Sequence, residues 1–330
     1  MRNLRRGAEA DLGATEALLA QTRVVVAAEV VRTWFLLRGA EERVALLDRY
    51  RADQAEVVGI VQARVEEGVD DGADLARART VLAEDMLALA RERHRVRLLR
   101  HALAVLIGAT PGQWEPPAMQ DGPLTLRPIA IGNPTALLQR RPDVRAAERA
   151  LAAQTADIGV AAANLFPQLS LGGVFGFLTG SFGDLGAASG ESWAIGPTVT
   201  WGIFDLGRLR AQVRRERAEA EGALAAYERT VLRALEETEN SLSAFAAAQE
   251  SLAASDRQLR NARIAADLVH ARYEEGAVSY FEFLDARRAA LRAGIARIDS
   301  IAEHRTATVD VFRALGIEPA AGSDVPADAP

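Results

Sequence analysis

The feature that most limits what this chain can fold into is a long helical pattern that occurs twice, 208 positions apart. Gly68 and Gly108 of the first copy recur as Gly276 and Gly316, and the matched residues between them, Ala78 and Arg79, recur at the same offset. The matched residues of the first copy are Arg6, Ala10, Thr22, Glu29, Ala63, Arg64, Glu66, Glu67, Gly68, Ala78, Arg79 and Gly108. A sequence that repeats itself over so long a stretch is one supersecondary unit used twice. We therefore predict two equivalent helical arms.

Each arm has the pattern of a helical hairpin. No proline interrupts residues 4–67, and a helix of that length reaches roughly 95 Å at 1.5 Å per residue. Gly68 then predicts a turn, and a returning helix runs from Asp74 to Ile107. The second copy predicts helices over residues 207–275 and 281–315. Their apolar residues follow a mixed three and four spacing, which is typical of coiled-coil pairs, although an ordinary helical bundle explains the spacing nearly as well.

The composition excludes several classes of function. All 39 basic residues are arginine and the net charge is −6, so there is no basic excess of the kind that nucleic-acid binding needs. There is no cysteine, hence no disulfide framework and no cysteine nucleophile. The four histidines lie on helices without partners at metal-ligand spacing. We predict no enzyme activity, no cofactor and no metal.

The chain lacks two sequence features of a membrane or secreted protein. Its start has positive charge but no apolar run after it, so we do not expect a secretory signal within the chain. The most apolar helical stretch, Val24 to Val31, is far too short to span a bilayer.

A strand pair is predicted between the two arms, in residues 166–206. Two stretches of about ten residues alternate large apolar residues with small ones, on either side of a Gly- and Ser-rich loop. The apolar face matches a transmembrane strand that points bulk toward lipid, whereas a hairpin packed on a neighbouring helix is the alternative. The predicted lipid-facing residues are Leu169, Leu171, Phe175, Phe177, Trp193, Ile195, Val199, Trp201 and Ile203. Because an isolated hairpin leaves unpaired backbone at its edges, membrane insertion requires strands from other copies.

These patterns give a mainly α fold with a small β part, divided into six segments. They are a first helical repeat (1–108), a proline-rich connection (109–142), a helix (143–165), a β-hairpin (166–206), a second helical repeat (207–316) and a disordered tail (317–330). The connection holds seven of the twelve prolines, which excludes a continuous helix there.

Four motifs now resemble those of a known family. The chain carries RRPD at residues 140–143, FPQLS at 166–170 and FDLGR at 204–208, followed by YEEG at 273–276. In this order they resemble the NodT/OprM branch of the TolC-type outer-membrane factors. The resemblance implies a trimer that forms a twelve-stranded outer-membrane barrel continued by a periplasmic α-helical barrel. It also implies a passive exit duct in a tripartite efflux system, with a periplasmic adaptor and an inner-membrane pump of the resistance-nodulation-division type as partners.

The resemblance further implies what this chain lacks. Members of the family carry one strand pair in each repeat and begin with a signal sequence, often with a lipid-bearing cysteine. Residues 4–20 resemble the helix that follows the first strand pair, so we expect the signal, the first helices and the first strand pair to be absent. Three copies would then supply six strands. A truncated, non-functional fragment is therefore one alternative, and a soluble or peripheral coiled-coil scaffold or adaptor is another.

Functional residues are implied at the turns of the two hairpins. In the family, acidic side chains just after the turns form a gate at the periplasmic tip. By position these are Asp74, Glu282 and Asp285, where Glu282 replaces the more usual aspartate. The candidate ion-pair partners are Arg77, Arg79, Arg287 and Arg288. The residues that resemble the adaptor-binding surface are Gly68, Val69, Asp70, Gly276, Ala277, Val278, Ser279 and Tyr280. A plain alternative is that the acidic residues only stabilise the first turn of a helix.

Overall fold

The computed structural model describes residues 1–68, 71–116, 140–177 and 191–317, except the side chains of residues 177, 191 and 192. Its helices are α1 (Arg2–Glu66), α2 (Gly72–Leu106), α3 (Pro142–Ala163), α4 (Leu206–Glu274) and α5 (Tyr280–Ala314). Its strands are β1 (Gln168–Phe177) and β2 (Glu191–Thr200), and a short 3-10 helix spans Ile203–Asp205. These bounds confirm the predicted helical hairpins and strand pair to within a few residues.

The chain divides into two compact units. The strand unit comprises Met1–Leu19 and Pro142–Leu232, and the helical unit comprises Ala20–Arg141 and Arg233–Pro330. This division follows spatial contacts and cuts both α1 and α4. The six segments predicted from the sequence therefore remain a prediction, and residues 117–139, 178–190 and 318–330 of those segments lie outside the described residues.

In the strand unit, α3 packs against the beginnings of α1 and α4. Small residues allow the approach to α1, since a Cβ on Gly159 would collide with the side chain of Asn3, and one on Gly7 would meet Ala156 at 3.7 Å. On the other side of α3, the Gln154 amide nitrogen donates to Glu219 at 3.1 Å. The close packing explains the alanine-rich sequence of α3 and its glycine at position 159.

The two strands form one antiparallel pair with a regular register. Leu169 lies opposite Val199, and Phe175 lies opposite Trp193. Residues opposite each other share a face, so the large apolar side chains of both strands lie together. The other face pairs Ser170 with Thr198 and Gly172 with Gly196.

In the helical unit, α1 packs between α2 and α5. Leu37 is fully buried with Val96 and Leu103 of α2, and Phe35 is 2% exposed beside Val309 of α5. The Arg43 guanidinium joins the same three helices, because it binds Glu92 at 3.0 Å and Asp299 at 2.8 Å. Helix α1 therefore packs both within its own hairpin, against α2, and between the hairpins, against α5.

The RRPD motif has a structural explanation in the same unit. Arg141 is 4% exposed, donates to the carbonyl oxygen of Ala314 and binds Glu237 at 2.7 Å. The carbonyl groups in the last turn of a helix have no partner within the helix. Arg141 thus caps the C-terminal end of α5 and ties it to α4.

Candidate functional site at the helical turns

Both hairpins turn at a glycine with the same backbone geometry. Gly68 and Gly276 have φ of +75° and +70°, a conformation that costs glycine least. Each donates its N–H to the carbonyl three residues earlier, at 3.1 Å in the first copy and 2.9 Å in the second. The returning helices end at Gly108 and Gly316, which also have positive φ. The sequence repeat is therefore a repeat of helix-ending geometry.

The returning helices begin with a side-chain cap at equivalent positions. One carboxylate oxygen of Asp71 accepts hydrogen bonds from the N–H groups of Ala73 and Asp74, at 2.6 and 3.2 Å. In the second copy, the Ser279 hydroxyl oxygen accepts from the N–H of Glu282 at 3.3 Å. Helix capping is thus performed by Asp71 and Ser279, and not by the predicted gate residues themselves.

The three predicted gate carboxylates differ in whether they form an ion pair. Asp74 binds Arg77 at 2.7 Å, one turn along α2. Glu282 and Asp285 are exposed, and neither forms a salt bridge within the described part of the chain. The second turn therefore presents two carboxylates on successive turns of α5 that no described basic residue neutralises.

The other three predicted basic partners bind different groups. Arg79 donates to the side-chain oxygen of Gln62 at 3.2 Å, and Arg288 binds Glu84 at 2.7 Å. The side chain of Arg287 is only 12% exposed. Within the chain, these arginines join helices to one another, and none of them binds Glu282 or Asp285.

Arg287 belongs to a buried polar cluster that sequence reasoning did not find. Its guanidinium donates to the Gln54 side-chain oxygen and to the carbonyl oxygen of Tyr50 at 2.5 Å, and it stacks 5.4 Å from the Tyr50 ring. Gln54 is fully buried and its nitrogen donates to the Ala78 carbonyl at 3.0 Å and the Tyr280 hydroxyl at 3.2 Å. We call Tyr50, Gln54, Tyr280 and Arg287 the Gln54 cluster. It connects α1, α2 and α5.

The sequence holds one signal for this cluster. Gln54 follows Leu47 and Tyr50 and precedes Val57 and Val61 at three and four spacing, so it occupies an apolar seam. A polar residue at such a position must be hydrogen-bonded or it destabilises the fold.

Aromatic side chains surround the cluster on the turn side. Tyr273 of α4 stacks on Phe283 of α5 with ring centres 5.0 Å apart, and Tyr280 lies 6.2 Å from Phe283. Val61 and Ala78 are fully buried against them. Near the turns, the two hairpins are therefore joined by packed apolar side chains around the hydrogen-bonded Gln54 cluster.

Burial raises the pKa of three side chains in this region. Burial raises the pKa of the Tyr280 hydroxyl, which the hydrogen bond from Gln54 partly opposes. Burial also raises the pKa of Tyr50, against the effect of the Arg287 charge. The pKa of Asp85 on α2 is raised by burial, and the nearby Arg287 and Arg288 charges lower it in part.

The predicted adaptor-binding residues do not share one environment. Gly68, Gly276, Ala277 and Ser279 are exposed at the turns, and Val278 is half-buried. Tyr280 is only 5% exposed, which assigns its ring a packing role. Val69 and Asp70 lie outside the described residues.

The predicted lipid-facing side chains lie in the strand unit and are exposed. Leu169 and Leu171 are both 74% exposed, and Trp193 is 71% exposed. Trp201 and Ile203 follow β2 and are about half exposed, with the Trp201 indole N–H donating to the Leu165 carbonyl at 3.2 Å. The side chain of Phe177 is outside the described residues. A face this apolar needs a partner or lipid to cover it.

Among the described helices, none is both long and apolar enough to cross a membrane.

Two long helical hairpins and an intervening strand pair with an uncovered apolar face are the architecture of an outer-membrane channel protomer. The family model for "Outer membrane efflux protein" matches residues 133–317. The chain belongs to this family, and its fold is of the TolC/OprM type.

Individual relatives agree with this assignment. The chain is 33% identical over 308 residues to outer membrane protein OprJ of Pseudomonas aeruginosa, covering 92% of this chain and 64% of OprJ. The solved structure of the outer-membrane channel OprN matches 96% of this chain and 71% of that chain, with a TM-score of 0.87 and 37% identity. The MtrE outer membrane channel of Neisseria gonorrhoeae, solved in its open state, matches 98% of this chain and 73% of that chain, with a TM-score of 0.87 and 26% identity. The chain thus spans less than two thirds of the length of OprJ.

Proposed function

We propose that this protein is the outer-membrane component of a tripartite efflux system and contributes the wall of a passive exit duct. The observation that carries the proposal is the match of 96% of the chain to the OprN channel at a TM-score of 0.87. The exposed apolar face of the strand pair supports it, since such a face is stable in a bilayer and costly in water. The working form is a homotrimer in the outer membrane with its helices in the periplasm. Its partners are an adaptor and an inner-membrane pump of the resistance-nodulation-division type.

Assembly of several copies follows from the strand pair, and three copies are proposed from the family. A single pair cannot satisfy its outer backbone groups in lipid, so strands from several protomers must close one sheet. The membrane fraction of producing cells should contain the protein, and light scattering in mild detergent should give three copies per particle. Recovery of a soluble monomer would contradict the proposal.

The proposed gate lies at the second turn. Three-fold symmetry would bring together three copies of Glu282 and Asp285, which have no ion-pair partner in the described part of the chain. Asp74, already paired with Arg77 at 2.7 Å, would contribute less to such a ring. A ring of carboxylates favours cations and repels itself unless partners neutralise it. The turn residues Gly68, Val69, Asp70, Gly276, Ala277, Val278 and Ser279 are the proposed adaptor contact.

The gate proposal is tested by ion conductance. Glu282→Ala with Asp285→Ala should change the leak current and reduce the preference for cations in planar bilayers. The matched control is Glu239→Ala with Glu250→Ala, which removes two exposed carboxylates of α4 that form no ion pair with any described residue. If the gate pair and the control pair behave alike, Glu282 and Asp285 return to a plain role at the start of α5.

The Gln54 cluster supports a mechanical part of the same proposal. It joins the second hairpin to the first through Arg287 and Gln54, close to both turns. Opening of the duct at this end requires the hairpins to move apart, so these hydrogen bonds would resist opening. Their loss should increase the leak current even though the gate carboxylates remain.

A further inference from the structure

Four arginines of the strand unit form two equivalent pairs that the proposed duct and gate do not use. Arg210 and Arg214 lie near the start of α4. Subtracting the 208-residue repeat places their counterparts at Arg2 and Arg6, near the start of α1. We call these residues the arginine quartet. All four side chains are exposed.

The quartet lacks partners where neighbouring arginines have them. Arg5 binds Glu9 at 2.7 Å, Arg208 binds Asp205 at 2.8 Å, and Arg215 binds Glu216 at 2.6 Å. None of the quartet forms an ion pair within the described residues. Beyond these residues the two helices no longer match in charge. Arg217 of α4 is exposed, but its counterpart in α1 is the acidic residue Glu9.

Both pairs lie at the same level along α3. Asn3 of α1 contacts Gly159, and Gly7 faces Ala156, so the start of α1 runs beside the last turns of α3. On α4, Glu219 and Glu216 face Gln154, so Arg210 and Arg214 lie toward the same end of α3. The quartet therefore flanks α3 on two helices, next to the point where α3 leads into β1.

Aromatic residues mark this end of the strand pair. Phe166 is 67% exposed, Trp201 is 48% exposed, and Phe204 in the 3-10 helix is fully exposed. Aromatic side chains of this kind concentrate where a membrane meets water. The arginine quartet lies directly beyond these aromatic residues, on the side away from the strands.

Helix geometry directs the quartet toward the membrane end. Arg210 is four residues into α4, which is about 6 Å along the helix, and the polar region of one bilayer leaflet is roughly 5–8 Å thick. Side chains of a helix tilt toward its N-terminus, and both α1 and α4 have their N-termini at this end. Long arginine side chains can thus reach back to the lipid headgroups. By contrast, α3 ends here and has no basic residue in its last turn.

We propose that the arginine quartet binds the phosphate groups of phospholipids in the leaflet that faces the periplasm, and so sets the depth of the protein in the membrane. The proposal rests on the proposed function, because it requires the strand pair to lie in a bilayer. Guanidinium groups form paired hydrogen bonds to phosphate, and basic residues beside a membrane favour anionic lipid. The quartet would occur three times in a trimer, as a belt below the strands.

The test compares the protein with a variant that carries Arg2→Gln, Arg6→Gln, Arg210→Gln and Arg214→Gln. The matched control carries Arg229→Gln, Arg233→Gln, Arg257→Gln and Arg260→Gln. These four exposed arginines lie farther along α4 and form no ion pair among the residues that the structure describes. Partitioning is measured with vesicles of phosphatidylcholine alone and of phosphatidylcholine with phosphatidylglycerol, at low and high salt. Far-UV circular dichroism verifies that all three proteins are helical.

The expected result is preferential partitioning of the wild-type protein and the control into the anionic vesicles, reduced by salt. The quartet variant should lose about tenfold or more of that preference while still entering neutral vesicles. Equal behaviour of the quartet variant and the wild-type protein, or an equal loss in the control, would overturn the proposal. Failure of the wild-type protein to enter either kind of vesicle would instead overturn the membrane role of the strands.

Discussion

The two helical turns have the same backbone geometry but opposite charge arrangements. At the first turn Asp74 and Arg77 form an ion pair at 2.7 Å. At the second turn the equivalent positions hold Glu282 and Asp285, so the same one-turn spacing places two like charges together. Like charges at this spacing are mildly unfavourable on an isolated helix. The second turn therefore carries two exposed carboxylates that form no ion pair within the described residues, and the first turn carries a paired one.

A second pair of equivalent residues shows how packing changes the role of an arginine that occurs in both copies. Arg79 and Arg287 are related by the repeat. Arg79 reaches Gln62 in its own hairpin, whereas Arg287 reaches Gln54 in the other hairpin. Arg287 is largely buried where α5 packs against α1 of the other hairpin, whereas Arg79 on α2 is exposed.

The largest effect is expected from removing the buried member of the arginine pair. Arg287→Ala leaves the buried Gln54 oxygen without its donor and removes the side-chain hydrogen bond to the Tyr50 carbonyl, which should lower the free energy of unfolding by about 3 kcal/mol. Arg79→Ala should change it by less than about 0.5 kcal/mol. Guanidinium unfolding followed by circular dichroism checks both values. Equal destabilisation by the two variants would show that the buried cluster is not what distinguishes the turns.

The next largest effect concerns the glutamine that joins the hairpins. Gln54→Ala removes two donated hydrogen bonds and leaves one of the two donating nitrogens of Arg287 without its acceptor, so we expect a loss of about 2 kcal/mol. The matched control is Gln62→Ala, whose partners are exposed. Hydrogen exchange should accelerate in residues 50–61 and 280–288 only in the first variant. Faster exchange throughout the helical unit in both variants would contradict a local role.

An intermediate effect is expected from exchanging the charges of the two turns. Asp285→Arg recreates at the second turn the ion pair of the first, and we expect the cation preference of the reconstituted protein to fall severalfold. Arg77→Asp makes the first turn resemble the second and should raise that preference. Reversal potentials in a salt gradient measure both. Identical potentials in the two variants would show that neither turn faces the ion path.

The smallest effect is a pH dependence at Asp85. Its pKa in the folded protein is raised above the ordinary value of 3.8, chiefly by burial. The folded protein therefore holds the proton more tightly than the unfolded chain, and this contribution to stability is lost as pH rises from 3.8 through the raised pKa. This loss of stability should appear as a fall in the melting temperature with rising pH. Asp85→Asn should make that fall shallower, whereas Asp267→Asn, at an exposed site, should leave the fall unchanged. A decline of unchanged slope in Asp85→Asn would assign the dependence to another group.

Sequence reasoning found the elements but not the contacts between hairpins. The glycine turns, the uninterrupted helices and the alternating strands follow from local rules, and the structure places them within a few residues of the predicted bounds. The four arginines at the turns were predicted to neutralise the gate, yet only Arg77 binds a gate carboxylate in the chain. Helical spacing identifies an apolar or polar seam and does not identify the helix that will face it.

The sequence by itself determined the repeat, the two hairpins, the strand pair and the family, because these depend on glycine conformation, helical periodicity and ordered motifs. Only the tertiary structure decided that Arg287 and Gln54 are buried together, that Asp71 and Ser279 are the caps, and that Arg141 closes the end of α5. The physical reason is that a hydrogen bond between distant segments depends on the exact approach of their backbones, which residue spacing along one helix does not encode.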